Sequence, residues 1–509
     1  MIKPSFTVNL QKIITHFIRS ILQNRHQNMT LIQRNLFFIF FVVISTGFMA
    51  CNDEIYSSNP QNRLTLSTDT LTFDTVFSTI GSSTSKIMIY NRNNVNLKIS
   101  QIGIAGGKDS PFKINVDGSL DADNQFKDIE IRAKDSLYIF VSVTVNPTNS
   151  NSPLFIRDSL SFQTNGVKQQ IQLQAFGQDV RIFRNKYILN DTTLTSEKPY
   201  LVYGYLAIDT AKTLSIKPGC KFYFHNNANL IVYGNIKAEG TAENPITLRG
   251  DRLDDIKFAT PFPYNNVAGQ WGGIYLLWKG GNHTLKHVYM NSGYIGVYMP
   301  NKDATTLPSL NISDCKIHNF LLYGLFVRNG NVQVTNTEIS NTSSYSVYLN
   351  GGQHSFIQST IANYFDNSNV QPVSRDRNPA VMITDSNRVA TTTSVFRNCI
   401  ISGSEDNEFS LMIQNPNQYS GIFDHCYIRR SEALSSLQFS SIRWSQPNDT
   451  VFKSTRYDYI KNIYFDFTLY VSSPARGLAD PVVAAQYPID LNGKSRLTDN
   501  TPDAGAYEW

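Results

Sequence analysis

Short runs of alternating apolar and polar residues mark the chain between Leu285 and Ile428. Six segments align there: LKHVYMNSG, ISDCKIHN, VTNTEISN, IQSTIANY, FRNCIISG and FDHCYIRR. Each has the length of one short strand and a small or thiol-bearing residue near its centre. These central residues are Val288, Cys315, Thr337, Thr360, Cys399 and Cys426, at steps of 27, 22, 23, 39 and 27. A second strand follows most of them: GVYM from Gly296, GLFV from Gly324, SVYL from Ser346, AVMI from Ala380 and SLMI from Ser410. Short strands repeating at this period, with Asn, Ser and Gly between them, predict a β-solenoid in which like residues stack above like.

Upstream, residues 63–179 hold a different pattern. LTLSTDTLTFDTVF, KIMIYNRN, VNLKISQIGI, SLYIFVSVTVNP, DSLSFQTNG and QQIQLQAFGQ follow one another with Asn, Gly, Pro and Asp turns between them. None has a helical period, and the spacing predicts an Ig-like β-sandwich without a cysteine staple. After Asp179 come LSIKPGCKFYF, LIVYGNIKAEGT and NPITLRG, whose alternating apolar residues suit the first coils of a solenoid. Gly219, Gly234 and Gly240 mark their turns.

The 509 residues leave room for both units. The formal charge of +5 is misleading. Lys3, Lys12, Arg19, Arg25 and Arg34 lie in residues 1–50, which hold no acid, and without them 40 basic residues face 40 acidic ones. A neutral chain lacks the basic footprint that phosphate backbones require, so nucleic acid is not an expected partner.

Residues 36–44, LFFIFFVVI, follow Arg34 and lead through Gly47, Phe48, Met49 and Ala50 to Cys51. A basic start, a short apolar run and a small residue before the cut describe a secretory signal. The Cys just past the cut resembles the bacterial lipoprotein signal, although Phe48 departs from its usual small aliphatic residue. That resemblance implies a diacylated Cys51 anchoring the mature chain in the outer membrane. Asn52, Asp53 and Glu54 resemble the export tag of Bacteroidetes surface lipoproteins, which implies surface display over a periplasm-facing anchor. A signal of ordinary length would begin at Met29. Residues 51–62 read as the lipidated Cys and a polar tether.

Three further resemblances bear on the fold. Phe73-Asp74-Thr75-Val76, Val141 to Pro147, and Asp158 to Gly177 resemble the bacterial Ig-like domains related to the ASPM–SPD-2–Hydin group, in which the module is a spacer or docking piece. The stretch from Tyr200 to Gly250, with QWGGIYL from Gln270, resembles the opening coils of pectate-lyase-like right-handed parallel β-helices. Ser473-Pro474-Ala475, Pro488 to Gly493, Arg496 and Asp503 to Glu508 are similar to the closing segment of choice-of-anchor β-helix proteins. The expected architecture is all-β: leader 1–50, tether 51–62, Ig-like sandwich 63–179, right-handed parallel β-helix 180–470, and a segment 471–509 capping the open end.

Candidate chemistry falls on two excursions. The long step before Cys399 places Arg375, Asp376 and Arg377 at a loop tip, with Tyr364 and Phe365 at its base. The second excursion, 251–270, carries Asp254, Asp255 and Tyr264, followed by Trp271. Tyr364, Phe365, Tyr264 and Trp271 are the candidate ligand-stacking residues. In a lyase, Arg375 and Arg377 would serve as base and carboxylate neutraliser. Glu405, Asp406 and Glu408 are the acids near enough in sequence to pair. Cys220, Cys315, Cys399 and Cys426 read as buried free thiols, with a Cys399–Cys426 disulfide left open. No spacing suits zinc. No cofactor is expected, and calcium would enter only with a lyase. His283, His287, His318 and His425 read as polar neighbours of inward positions. The expectation is a non-catalytic cell-envelope lipoprotein binding polysaccharide on a β-helix face. The alternative is a polysaccharide lyase or glycoside hydrolase with its site near 364–380.

Overall fold

The computed structural model describes residues 55–147, 149–256, 262–367, 374–386, 389–432, 438–458, 461 and 463–509. Cys51, Asn52, Asp53 and Glu54 lie outside the described residues, as does the leader. The first unit is a sandwich of two five-stranded sheets. Inward residues such as Ile87, Ile99, Phe112, Ile139 and Phe162 fill the space between them. The segment expected as a tether is docked on this sandwich in its described part. Ser57 N–H donates to Asn96 O at 2.9 Å, and Asn165 Nδ2 donates to the carbonyls of Asn59 and Asn62. Backbone groups that find partners on the domain surface do not stay in solvent as a spacer.

The second unit is a parallel β-helix of 26 strands. Each coil contributes one strand to each of three faces. Sheet A stacks Ile246–Gly250, Val288–Asn291, Lys316–Phe320, Glu338–Thr342, Thr360–Asn363 and Ile400–Gly403. Sheet B stacks Gly273–Leu276 on Ile295–Pro300, the first parts of Tyr323–Thr335 and Val347–Ile357, and Val381–Thr384. Sheet C stacks Asn282–Lys286 and Ser309–Ser313 on the second parts of those two long strands, then Thr392–Arg397 and Tyr419–Asp424. The long strands bend from sheet B into sheet C at Gly330 and Gly352. A Cβ on Gly352, whose φ is +106°, would meet Gly330 O at 2.2 Å, so neighbouring coils pack backbone on backbone there.

Inside, ring stacks on like rungs: Phe356, Phe396, Phe423 and Phe439 lie 4.6, 5.5 and 4.7 Å apart in sequence. The corner from sheet C to sheet A is a column of left-handed residues: His287, Asp314, Asn336, Gln358, Asn398 and His425. Several are of the Asn, Asp and His types that enter this conformation most readily. The next residue of each coil forms a polar spine. Val288 N–H donates to Cys315 Sγ (3.4 Å), Cys315 N–H to Thr337 Oγ1 (3.2 Å), Thr337 N–H to Ser359 Oγ (3.4 Å), and Cys399 N–H to Cys426 Sγ (3.3 Å). Each of these thiols and hydroxyls in turn donates to the carbonyl two residues back, at 2.8–3.2 Å. The fourth member is Ser359, not Thr360. Thr360 faces outward, where its Oγ1 accepts the Ala506 N–H. Among the described residues, Cys220, Cys315, Cys399 and Cys426 are free and buried.

Residues 471–509 run along the flank of the middle coils rather than across the open end. Asn398 and Asp480 exchange hydrogen bonds, and Arg496 donates to Asn336 Oδ1 at 2.8 Å. With the hairpin of Phe452–Ser454 and Asp466–Leu469, this segment buries the outward side chains Ala362, Ile400 and Tyr427 of sheet A. Those apolar residues on an outer face are the physical reason for the flank docking. The sandwich meets the first coils through Phe77 and Tyr223, whose rings are 4.9 Å apart.

Candidate functional site

The loop that sequence singled out is anchored inward. Arg375 is fully buried at its side chain and grips Glu408 bidentately, at 2.7 and 2.5 Å. Its guanidinium also donates to the carbonyls of Asn363 and Asn378, while Glu408 accepts the N–H groups of Ala380 and Glu405 at 2.8 Å. Arg375 is therefore an anchor and not an exposed catalytic arginine: a buried guanidinium whose two terminal nitrogens are taken by these partners holds the loop in place. Asp376 and Arg377 are exposed beside it. Tyr364 and Phe365 are buried, Tyr364 beneath the cap hairpin with its hydroxyl 2.9 Å from Ser402 Oγ. Trp271 is buried too, stacked 4.3 Å from Phe224 with Nε1 donating to Asn291 O. Phe365 and Trp271 offer no face to a ligand, and Tyr364 only borders a cavity beside Arg429 and Phe452. Tyr264 is half-buried under the Arg252 guanidinium, 3.9 Å from its ring.

Two other surfaces gather partly exposed chemistry. The first is the outer face of sheet B. Tyr275, Tyr298, Phe326 and Tyr348 occupy one register column on four successive coils. Their ring centroids are separated by 5.6, 4.8 and 5.0 Å, and Phe326 and Tyr348 are parallel within 4°. Tyr323 and Tyr345 form a second, stacked column 6.2 Å apart, touching the first through Phe326 and Tyr348. All six rings are half-buried, so each keeps part of its surface in solvent. Burial, with neighbouring phenols, raises the pKa of Tyr275, Tyr323 and Tyr345, which keeps their hydroxyls neutral. Met382 continues the column on the next coil. This platform had a sequence signal: the third letters of GVYM, GLFV, SVYL and AVMI are Tyr298, Phe326, Tyr348 and Met382. The fifth segment, SLMI, is out of step, because Ser410 rather than Met412 pairs with Met382.

The second surface is a groove of about 470 Å³ between sheet A and the cap. Lys316, His318, Glu338 and Ser340 form its floor, and Tyr457, Tyr464 and Phe465 a wall. Glu338 accepts from Tyr507 and from Ser340, the latter at 2.6 Å. Lys316 Nζ lies 5.6 Å from the Tyr289 ring and 5.4 Å from the Tyr507 ring. Burial lowers the pKa of His318, against the pull of Glu338, so its ring is neutral near pH 7. The groove left no local signal, because its floor and wall are far apart along the chain.

Among the described residues, Asp424, His425 and Asp480 form one group of metal-ligand composition, their ligand atoms within 4.8 Å of one another. His425 Nδ1 is already 2.9 Å from Asp424, and Asp480 caps the short helix Pro481–Ala484 through Val482 N–H. The Asp424–His425 contact and the helix cap account for the cluster.

The architecture defines the class: an all-β protein in which a sandwich precedes a parallel β-helix. No family model matches the chain, and no curated protein matches it. Among solved structures, the ASH/PapD-like domain 7 of human CEP192 aligns with 25% of this chain and 91% of its own, at 10% identity and a TM-score of 0.16. A family 123 glycoside hydrolase from Clostridium perfringens, described in a study of glycolipid glycan hydrolysis, aligns at 9% identity and a TM-score of 0.16. That match covers 24% of this chain, and the chain spans 26% of the hydrolase. At these scores neither likeness bears on function.

Proposed function

We propose that this is an exported, lipid-anchored cell-envelope protein that binds extended polysaccharide along the outer face of sheet B. The observation that carries the reading is the register column of half-buried aromatic rings, Tyr275, Tyr298, Phe326 and Tyr348. A sugar presents C–H faces that pack on aromatic rings and hydroxyls that bond to phenol edges. Rings repeated on successive coils suit a repeating ligand. The signal around Cys51 and the tag Asn52-Asp53-Glu54 support the anchor and surface display, and the neutral chain from Cys51 onward supports an uncharged polymer backbone. The burial of Arg375 takes away one of the two arginines on which the lyase alternative rests, and no catalysis is proposed.

The test is affinity electrophoresis of the full chain through gels cast with neutral polysaccharides. Retardation that disappears in Tyr298→Ala and Phe326→Ala, with folding intact by circular dichroism, is the expected result. Equal mobility of wild type and both variants in every gel would refute the reading. The anchor is tested apart from it: labelled fatty acid should enter the wild-type chain and not Cys51→Ser.

A further inference from the structure

We infer that the groove between sheet A and the cap is a second binding site, selective for an anionic sugar unit. The argument rests on which charges in it are already satisfied. The carboxylate of Glu338 accepts from two hydroxyls, those of Tyr507 and Ser340. Asp466 accepts the Thr468 backbone N–H at 3.0 Å and also its hydroxyl. Both acids therefore have donors of their own within the wall and floor. The two lysines do not have acceptors. Among the described residues, Lys316 and Lys453 make no ion pair, although Lys316 stands in register with Glu338 on the neighbouring strand.

Lys316 is held between the rings of Tyr289 and Tyr507. Such contacts stabilise an ammonium but leave its N–H donors unsatisfied. An ammonium so placed in a concave site is complementary to a ligand anion. His318 is neutral and adds no charge. The opposite wall is aromatic: Tyr457, Tyr464 and Phe465 form one cluster, with Tyr457 5.5 Å from Tyr464 and 6.2 Å from Phe465. Asn266 reaches in from the 251–270 excursion and donates to the Tyr457 hydroxyl at 2.6 Å, fixing that wall. A ligand with one anionic group, a C–H face and hydroxyls fits lysine donors, aromatic wall and amide rim together.

Carboxylate and sulfate ester are the two sources of that charge. The choice of a sugar as scaffold rests on the saccharide reading above; the choice of an anion rests on the lysines alone.

The experiment is titration calorimetry on the full chain in detergent, with four probes. They are a hexuronate oligomer, its carboxyl-reduced neutral form, a sulfated oligosaccharide and an oligoglutamate of equal charge. One or both anionic sugars should bind, weakening as salt rises, and whichever binds identifies the anionic group. Lys453→Ala and Lys316→Met should each weaken that binding about tenfold or more, and Lys316→Arg should restore most of it. Tyr298→Ala should leave it unchanged, so failure of the aromatic-face reading and failure of this one are separable. Lysine-dependent binding of the carboxyl-reduced oligomer equal to that of the anionic one, equal lysine-dependent binding of oligoglutamate, or anionic binding untouched by both lysine variants would each overturn the inference.

Discussion

At the spine, thiol and hydroxyl do the same work. Cys315, Thr337, Ser359, Cys399 and Cys426 each donate two residues back, and in four of the five the same atom accepts an N–H from the coil before. Cys315→Ser should therefore change stability little, while Cys315→Val, which keeps volume but removes both bonds, should cost about 1–3 kcal/mol through the unsatisfied Val288 N–H. Urea unfolding of the two variants checks this. Burial pushes the Cys315 thiol up to about 12, so thiol reagents should label it only as the chain unfolds. The interchangeability also explains how much sequence revealed. The repeat was visible because Cys, Thr and Val share size. The fourth member slipped by one because Ser359 and Thr360 both have hydroxyls, and only the alternation of faces separates them.

Histidine makes the opposite case at this scale. His283 and His354 point into the core under sheet C, and neither ring nitrogen of His283 has a partner. Burial lowers both pKa values to about 4, against 6.5 for an ordinary histidine. Above pH 6.5 neither folded nor unfolded chain binds these protons, and stability is whole. Between 6.5 and 4 the unfolded chain takes them up and the folded chain does not, so stability falls with pH; below 4 the loss levels off. The fall is on the order of 3 kcal/mol per histidine. Melting temperature against pH should show this slope, and His354→Leu should flatten it. The sequence pattern puts His283 beside an inward position, and the structure puts it in one. A polar letter in an apolar alternation conceals such a residue.

Among the elements, the loop around Arg375 shows what composition leaves ambiguous. Arg-Asp-Arg at a long insertion reads as exposed chemistry, and two of the three residues are exposed. The partner that draws Arg375 inward, Glu408, lies 33 residues later, beyond any local pattern. Burial pushes the Glu408 carboxyl up and Arg375 pulls it back down. Arg375→Met should cost about 3–5 kcal/mol by leaving a buried carboxyl without its counter-charge, and adding Glu408→Gln should recover part of that. Chemical denaturation of the single and double variants measures both. The aromatic column of sheet B, by contrast, lay open in the second-strand alignment once the strands were placed in register.

For the whole molecule, strand periodicity was enough to expect a sandwich followed by a solenoid, because each coil repeats the same inward pattern. The position of the last residues was not legible. Their motif indicated a closure, but the place they close depends on outward apolar residues of sheet A, contributed by several coils. A chain ending at Thr498 should keep the spine and the column of sheet B, lose Tyr507 from the groove and expose Ile400 and Ala362. Limited proteolysis and binding of a hydrophobic dye would report the exposure, and polysaccharide retardation should survive.

That closure also sets an order in time. Tyr507 reaches Glu338 across 169 residues, and Ala506 reaches Thr360 across 146. The coils beneath can stack on nearest neighbours as they emerge, whereas these contacts wait for Ala506 and Tyr507 to arrive. A chain interrupted before Tyr507 therefore lacks the ring that closes the groove over Glu338.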